Sequence, residues 1–432
     1  MRPAAPLAAL LLVWASACSG GTGGQARTLH IGVDLPITGP EARAAIPALD
    51  GIRFFVQQHP KLDGFAVSLV VSDDAAGGPA NPALGVGNVQ SFLADPLLVA
   101  MLGPFDAAVA RREIPVANAL ALAMVSPATG SPCLTRDDYL PAALNPSRVV
   151  ITCRAASLPS GSDLRPSHLN NFFRLTTTDD LQGPAAADYA SRQLHLLRVA
   201  VVSDHETYGQ ALADGFSARF LHLGGTVVAH LDEDPAVKQA DPTLFLQAAK
   251  AAGAQALYFG GTAATGACTL RKQMEQVFDP GEATPFLGGD GLIDPACLRE
   301  AGANSAGIFA TAPIVDAASL PAAAGLIAAY KRTYPNAADY GPYTVLAYDS
   351  AAVLYQAIDR AIRLAGGELP VRGNVVSQLS AAGLAGATGT IGFDSAGDTI
   401  NRIVSIYEPS AADPVATWRH VDSVDYRTTP PY

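Results

Sequence analysis

The sequence predicts an α/β protein built as two doubly wound parallel-sheet lobes, and three observations predict it. At 432 residues the chain exceeds one ordinary hydrophobic core and fits two domains of common size. Short β-branched runs alternate with helical patterns along most of its length, which is the pattern of parallel sheets covered by helices. The stretch from Asn171 to Phe216 repeats this unit twice and ends each strand in polar residues, where such sheets bind ligands.

Taken in order, Thr28 to Asp34 reads as a first strand, followed by a helix from Glu41 to Gln58. Val67 to Ser72 is a second strand ending in Asp73 and Asp74, and Asn81 to Leu93 a second helix. Leu97 to Leu102 and Ala123 to Ser126 are the next strands, with a helix from Ala107 to Ala119 between them. Residues 130–170 then break the rhythm with prolines, serines and two cysteines. A loop this long inside a compact domain needs a reason.

In the central stretch, Phe172, Phe173 and Leu175 make a short apolar strand that runs into threonines. Asp179 or Asp180 is placed to cap the next helix, whose first turn accepts Gly183 and Pro184. Val199 to Val202 is too short for a helix and reads as a buried parallel strand ending at Ser203, Asp204 and His205. A second helix opens near Tyr208 and Gly209. Beyond it, strands are expected over 226–230, 256–259, 285–288 and 308–312, and helices over 243–252 and 268–277. A long helix over 343–364 carries Leu346, Val353 and Ala357 at near-helical spacing.

FRLTTTDDLQGPAAADYA followed by VAVVSDHETYGQALADGF resembles the start of the second lobe in periplasmic binding proteins of the leucine/isoleucine/valine-binding type. These are the solute receptors of branched-chain amino-acid ABC importers. The resemblance extends over nearly the whole mature chain. Leu35 to Gly39 is similar to the family's first cleft loop. The tail GATGTIGFDSAGDTINRIVSIY, with a strand over 400–407, resembles its third crossing between lobes. The resemblance implies the type 1 periplasmic binding protein fold, with lobe one over 28–174 and 313–398 and lobe two over 175–312 and 399–432. A three-segment hinge would join them and close on a ligand. Residues 130–170 then read as an insertion stapled by Cys133–Cys153, which either covers the cleft or decorates an edge.

The resemblance also implies a site. Ser126-Pro127-Ala128-Thr129 matches, one residue shorter, the loop whose backbone N–H groups and threonine hydroxyl hold an amino-acid carboxylate. The same four residues also fit a strand-to-loop turn with Thr129 as a local cap. Asp290, between Gly289 and Gly291, stands where relatives pair an acid with the ligand's ammonium group, and it equally fits a turn aspartate bonding its own backbone. Tyr208 matches an aromatic that lines the pocket from lobe two, or a ring buried against the helices. Two positions depart from the amino-acid binders. Ala107 replaces a serine hydroxyl, with Asp106 just before it, and Thr262 replaces a tyrosine. Either the ligand is held differently or it is not a branched-chain amino acid. An Asp106 lining the pocket would favour a ligand of added positive or donor character.

A net charge of −11 and the lack of any Lys/Arg cluster argue against nucleic acid. No GxSxG, HExxH or Walker loop marks an enzyme, no CxxC or HxxxH spacing marks a metal site, and no cofactor is implied. Residues 1–18 read as a signal peptide, with Arg2, an apolar run from Leu7 to Trp14, and Ala15-Ser16-Ala17-Cys18. That last run resembles a bacterial lipobox, with Ala15 where Leu or Val is usual. It points to lipidation of Cys18, the alternative being plain signal cleavage, and residues 19–27 read as a flexible tether. Cys133, Cys153, Cys268 and Cys297 remain, and an even number in an oxidising compartment points to two disulfides with three possible connectivities. Nearest-neighbour pairing, Cys133–Cys153 and Cys268–Cys297, is the expectation, against four free buried thiols.

The chain is thus expected to be a monomeric, extracytoplasmic lipoprotein, anchored to the cell membrane at the cell surface or in the periplasm. It would capture an amino acid or related amide and deliver it to ABC permease subunits. The alternative is a ligand-sensing subunit of the same fold that hands its open or closed state to a signalling partner.

Overall fold

The structure is a computed structural model that describes residues 27–232, 242–278, 281, 283–411, 413–428 and 430–431. The expected signal peptide, Cys18 and the tether as far as Ala26 lie outside the described residues. Arg27, expected at the end of the tether, instead opens the first strand by pairing with Phe65. The first part of the chain runs β1 (Arg27–Leu35), α1 (Ala42–Gln58), β2 (Lys61–Leu62), β3 (Phe65–Asp73), α2 (Pro82–Ala94) and β4 (Leu98–Leu102). It continues through α3 (Ala107–Asn118), β5 (Ala123–Ser126), β6 (Asp138–Leu140), β7 (Ile151–Thr152) and β8 (Phe172–Arg174). Six of these strands form one sheet in the order β2-β3-β1-β4-β5-β8, parallel except at the short β2 edge. Every residue of β4 and β5 is buried, as expected of parallel strands covered on both faces.

The second part runs α4 (Gln182–Arg192), β9 (Arg198–Ser203), α5 (Thr207–His222), β10 (Thr226–Asp232), α6 (Thr243–Ala251) and β11 (Ala256–Gly260). It continues through α7 (Ala267–Val277), β12 (Phe286–Gly288), α8 (Pro295–Ala301) and β13 (Ile308–Ala312). The chain then returns to the first sheet with α9 (Ala324–Thr333), α10 (Thr344–Leu364), α11 (Arg372–Ser380) and the hairpin β14 (Gly383–Gly386) and β15 (Gly389–Gly392). It closes with β16 (Ile403–Ser410) and β17 (Asp413–Asp425). The second sheet has the order β10-β9-β11-β12-β13-β16-β17, with the last two strands antiparallel.

The apolar spacing in α10 does what it predicts. Leu346, Val353 and Ala357 are buried in one cluster with Leu29, Ile31 and Val33 of β1, each full Leu or Val burial contributing roughly 1.5–3 kcal/mol. Where α1 crosses α10 the backbones nearly touch, because a Cβ on Gly51 would lie 2.2 Å from the Thr344 carbonyl oxygen.

Three chain segments pass between the lobes side by side. The Thr177 N–H donates to the Pro313 carbonyl at 2.8 Å, and its hydroxyl donates to the Ile403 carbonyl at 2.9 Å. Ser405 Oγ donates to the Ile314 carbonyl at 2.8 Å. Arg174 anchors the crossing from inside the protein: its guanidinium reaches Asp398 Oδ1 at 2.7 Å, the Ser131 carbonyl at 2.6 Å and Thr135 Oγ1 at 2.5 Å. Burial by itself would raise the Asp398 carboxyl, but the charges of Arg174 and Arg136 overcome it and hold the group below the usual carboxylate range.

Two local expectations are corrected. Asp179 and Asp180 do not cap α4. They form a 3₁₀ turn, Asp179–Leu181, that runs straight into the helix, so the extended residue an N-cap requires is missing there. Asp180 pairs instead with Arg136 at 2.8 Å. The strand expected from residue 400 begins at Ile403, because Asn401 sits in a tight turn: its N–H donates to Thr399 Oγ1 at 3.1 Å and its carbonyl accepts the Ile403 N–H at 2.9 Å.

The cysteines pair as nearest neighbours, Cys133 with Cys153 and Cys268 with Cys297. The 130–170 segment is a bridge rather than a lid or an edge ornament. Tyr139 donates its hydroxyl to the Thr207 carbonyl at 3.0 Å, and Tyr139, Leu140 and Leu144 share a buried cluster with Ala211 of α5.

Candidate functional site

The ends of five strands converge on one cleft of about 620 Å³. From the first sheet, the loop after β4 contributes Phe105, Asp106 and Ala107, and the loop after β5 contributes Ala128 and Thr129. From the second, Tyr208 follows β9, Thr262 follows β11 and Asp290 follows β12. These are carboxyl ends of parallel strands, where the backbone leaves the sheet and its polar groups face outward. Six of the seven sequence-chosen residues therefore line the same cavity, from both sides.

Ser126 is the seventh and lies beneath the surface, fully buried. Its hydroxyl donates to the Pro104 carbonyl at 2.7 Å and accepts the Ala128 N–H at 3.2 Å, the Thr129 N–H at 3.1 Å and the Thr129 hydroxyl at 2.9 Å. It shapes the loop from below. Thr262 builds the next loop in a similar way, exchanging hydrogen bonds with Thr265, whose hydroxyl in turn donates to Asp204 at 2.8 Å.

Asp290 is held rather than free. Gln182 Nε2 donates to its Oδ1 at 2.9 Å, the Tyr208 hydroxyl donates to the same oxygen, and its backbone N–H donates to Gln182 Oε1 at 3.0 Å. Gln182 also donates to Asp179 Oδ1 at 3.2 Å and accepts from Thr311 Oγ1 at 3.1 Å. Burial pushes the Asp290 carboxyl up, against the lowering effect of these donors. Burial, then the charge of Asp290, raises Asp179 as well. The Tyr208 phenol is driven far above its ordinary value by burial and by both carboxylates, so it stays protonated and donates.

By sequence, Asp179, Glu41 and Tyr343 are helix-start residues rather than members of the site, and Gln182 is not singled out. The available signal was Gln182 three residues after Asp179, where the chain passes from the end of β8 into α4. Among the described residues, no group of three or more His, Cys, Asp or Glu is arranged to hold a metal ion.

Known proteins match this architecture. The sequence profile of the family described as periplasmic binding protein matches residues 28–413. Leu/Ile/Val-binding protein homolog 3 of Brucella melitensis is 35% identical over 205 residues, 47% of this chain and 52% of its own. The match thus spans about half the length of that relative. Leu/Ile/Val-binding protein BraC3 of Rhizobium johnstonii is 28% identical over 399 residues, covering 90% of this chain and 93% of its own. The crystal structure of the leucine binding protein LivK from Thermotoga maritima superposes with a TM-score of 0.66 at 22% identity, over 92% of this chain and 99% of that one. The fold is thus that of these two-lobed proteins, whose family comprises solute-binding proteins and not enzymes. With its profile spanning both sheets and the crossings between them, the chain belongs to the periplasmic binding protein family.

Proposed function

We propose that this protein is the extracytoplasmic receptor of an ABC importer and captures a small amino-acid-like molecule between its lobes. The observation that carries this reading is the oriented acid at the centre of the cleft: Asp290, fixed by Gln182 and Tyr208 and facing a cavity lined from both lobes. A carboxylate held there suits an ammonium group. Ala107, Ala128, Thr129 and Thr262 contact the rest of the ligand, and Ser126 keeps the Ala128–Thr129 loop in shape. The names of the curated relatives favour an amino acid as cargo.

Lobe one comprises 28–174 with 313–398, and lobe two 175–312 with 399–432. Closure about the three crossings shifts an open–closed equilibrium by the ligand's preference for the closed form, and permease subunits read that form. The protein works as a monomer, tethered to the membrane through lipidated Cys18. Among the described residues, no helix is long and apolar enough to cross a membrane. A panel of amino acids, amides and short carboxylates screened by thermal shift tests the reading, since a ligand that binds only the folded state raises the melting temperature. At least one amino-acid-like compound should bind at one site per chain and be recovered unchanged. Turnover of the compound, or a stoichiometry other than one, rejects the proposal.

A further inference from the structure

Among the described residues, four carboxylates face the cleft and no basic side chain does. Asp179 and Asp290 stand on the lobe-two wall, and Glu41 and Asp106 on the lobe-one wall. The positive charge that lowers Asp179 is that of Arg174, whose guanidinium is already occupied by Asp398, the Ser131 carbonyl and Thr135. A single ammonium group answers only one of the two acidic walls.

The lobe-one donors singled out for a ligand's carboxylate, the N–H groups of Ala128 and Thr129 and the Thr129 hydroxyl, are in use. Asp106 caps α3, its Oδ1 accepting the N–H groups of Ala108 at 2.6 Å and Val109 at 3.0 Å. The protein's own carboxylate thus occupies the positive end of the helix, where an anion from outside would otherwise bind. The N–H groups of Ala128 and Thr129 and the Thr129 hydroxyl all turn inward to Ser126 Oγ. An anionic group arriving here meets a carboxylate, and the N–H groups of Ala128 and Thr129 are already bonded to Ser126.

Glu41 feels the charge of Asp106. Burial, then that charge, raises the Glu41 carboxyl, and a cation between the two would oppose the second effect. Rings stand alongside: Phe105 packs edge-on to Tyr343 with centroids 4.9 Å apart, and both line the cleft with Tyr208. Such faces suit a methylene chain with charged ends.

Resting on the capture function proposed above, we infer that the cleft selects a diamino ligand, with one cationic group at Asp179 and Asp290 and the second at Glu41 and Asp106. A basic amino acid and a simple diamine share that chemistry. Calorimetric titration of the full chain with L-lysine, 1,5-diaminopentane, Nε-acetyl-L-lysine and L-leucine separates the cases. L-lysine or 1,5-diaminopentane should bind at least about tenfold more tightly than either singly cationic probe, the scale of one partly buried ion pair. Whichever of the two binds better shows whether an α-carboxylate is accepted. Glu41→Gln should shrink the preference for L-lysine over Nε-acetyl-L-lysine at least about fivefold, and Asp106→Asn, which keeps a capping side chain, should do the same if Glu41→Gln fails to fold. L-leucine or Nε-acetyl-L-lysine binding as tightly as both diamino probes overturns the inference and leaves amino-acid capture standing. Failure of all four probes, together with silence across the wider panel, overturns both.

Discussion

Gln182 grips Asp290 with both ends of its amide, donating from Nε2 to Asp290 Oδ1 at 2.9 Å and accepting the Asp290 backbone N–H at 3.0 Å. With Asp179 and Thr311 as further partners, both hydrogens and both lone pairs of this fully buried amide are used. The acid of the cleft is therefore oriented before any ligand arrives, which lowers the ordering cost of binding.

Asp290→Asn keeps the shape and the Gln182 contact while removing the charge. Affinity for an ammonium-bearing ligand should drop by about 2–5 kcal/mol with little change in fold. Calorimetry on the variant showing an unchanged Kd would remove Asp290 from the site. Gln182→Leu should instead cost stability, about 1–3 kcal/mol per group left unpartnered, seen as a lower denaturant midpoint.

Gly289→Ala should weaken capture without unfolding the protein. The added Cβ would lie 2.5 Å from Leu212 Cδ1 and 2.7 Å from the Tyr208 hydroxyl, so Tyr208 must leave Asp290. The backbone itself tolerates alanine, with φ of −85°. Far-ultraviolet circular dichroism like the wild type, with affinity reduced at least about tenfold, is the expected pair of results. Full affinity would show that Tyr208 is dispensable.

Stability should fall as pH rises. Asp74 is fully buried, neither carboxylate oxygen has a hydrogen-bond partner, and burial followed by the charges of Asp34, Glu41, Asp73 and Asp106 pushes its pKa up to about 8. An unfolded aspartate titrates near pH 4, so above that value the folded state retains a proton the unfolded state has lost. This contribution is complete below about pH 4 and disappears as pH passes 8. The melting temperature should decline from pH 5 to 8.5 and decline less in Asp74→Asn. Parallel profiles for the two proteins would count against it.

The bridge over residues 130–170 should be measurable as a joint between lobes. Replacing Cys133 and Cys153 with serine opens a loop of sequence separation 20, a loss of about 3 kcal/mol in the chain-entropy account. Leu144→Ala, in the cluster shared with Ala211, should cost about 2–5 kcal/mol. Small-angle scattering of Tyr139→Phe should report a wider ligand-free ensemble, because the hydroxyl no longer reaches the Thr207 carbonyl. An identical radius of gyration would mean the bridge does not restrain opening.

Much of this architecture was readable in advance. Val199 to Val202 could only be a buried strand, and the helical spacing of Leu346, Val353 and Ala357 named the face that meets β1. Periodicity and β-branching act over a few residues, so a linear reading captures them. The short helix α11, with three buried residues in nine, carries a weaker pattern and was missed, as was β17. Asp179 and Asp180 misled for a different reason: their composition suits a cap, but the chain was already turning helically.

Local pattern put the strand ends and helix starts in place, and the family resemblance singled out Ala107, Ala128, Thr129, Tyr208, Thr262 and Asp290 there. Folding alone decided what those positions offer a ligand. Gln182 meets Asp290 across 108 residues of chain, and Asp106 and Ser126 absorb N–H groups that would otherwise face the cleft. Hydrogen-bond satisfaction and electric field are sums over groups brought together from distant segments, and no short window of sequence contains them.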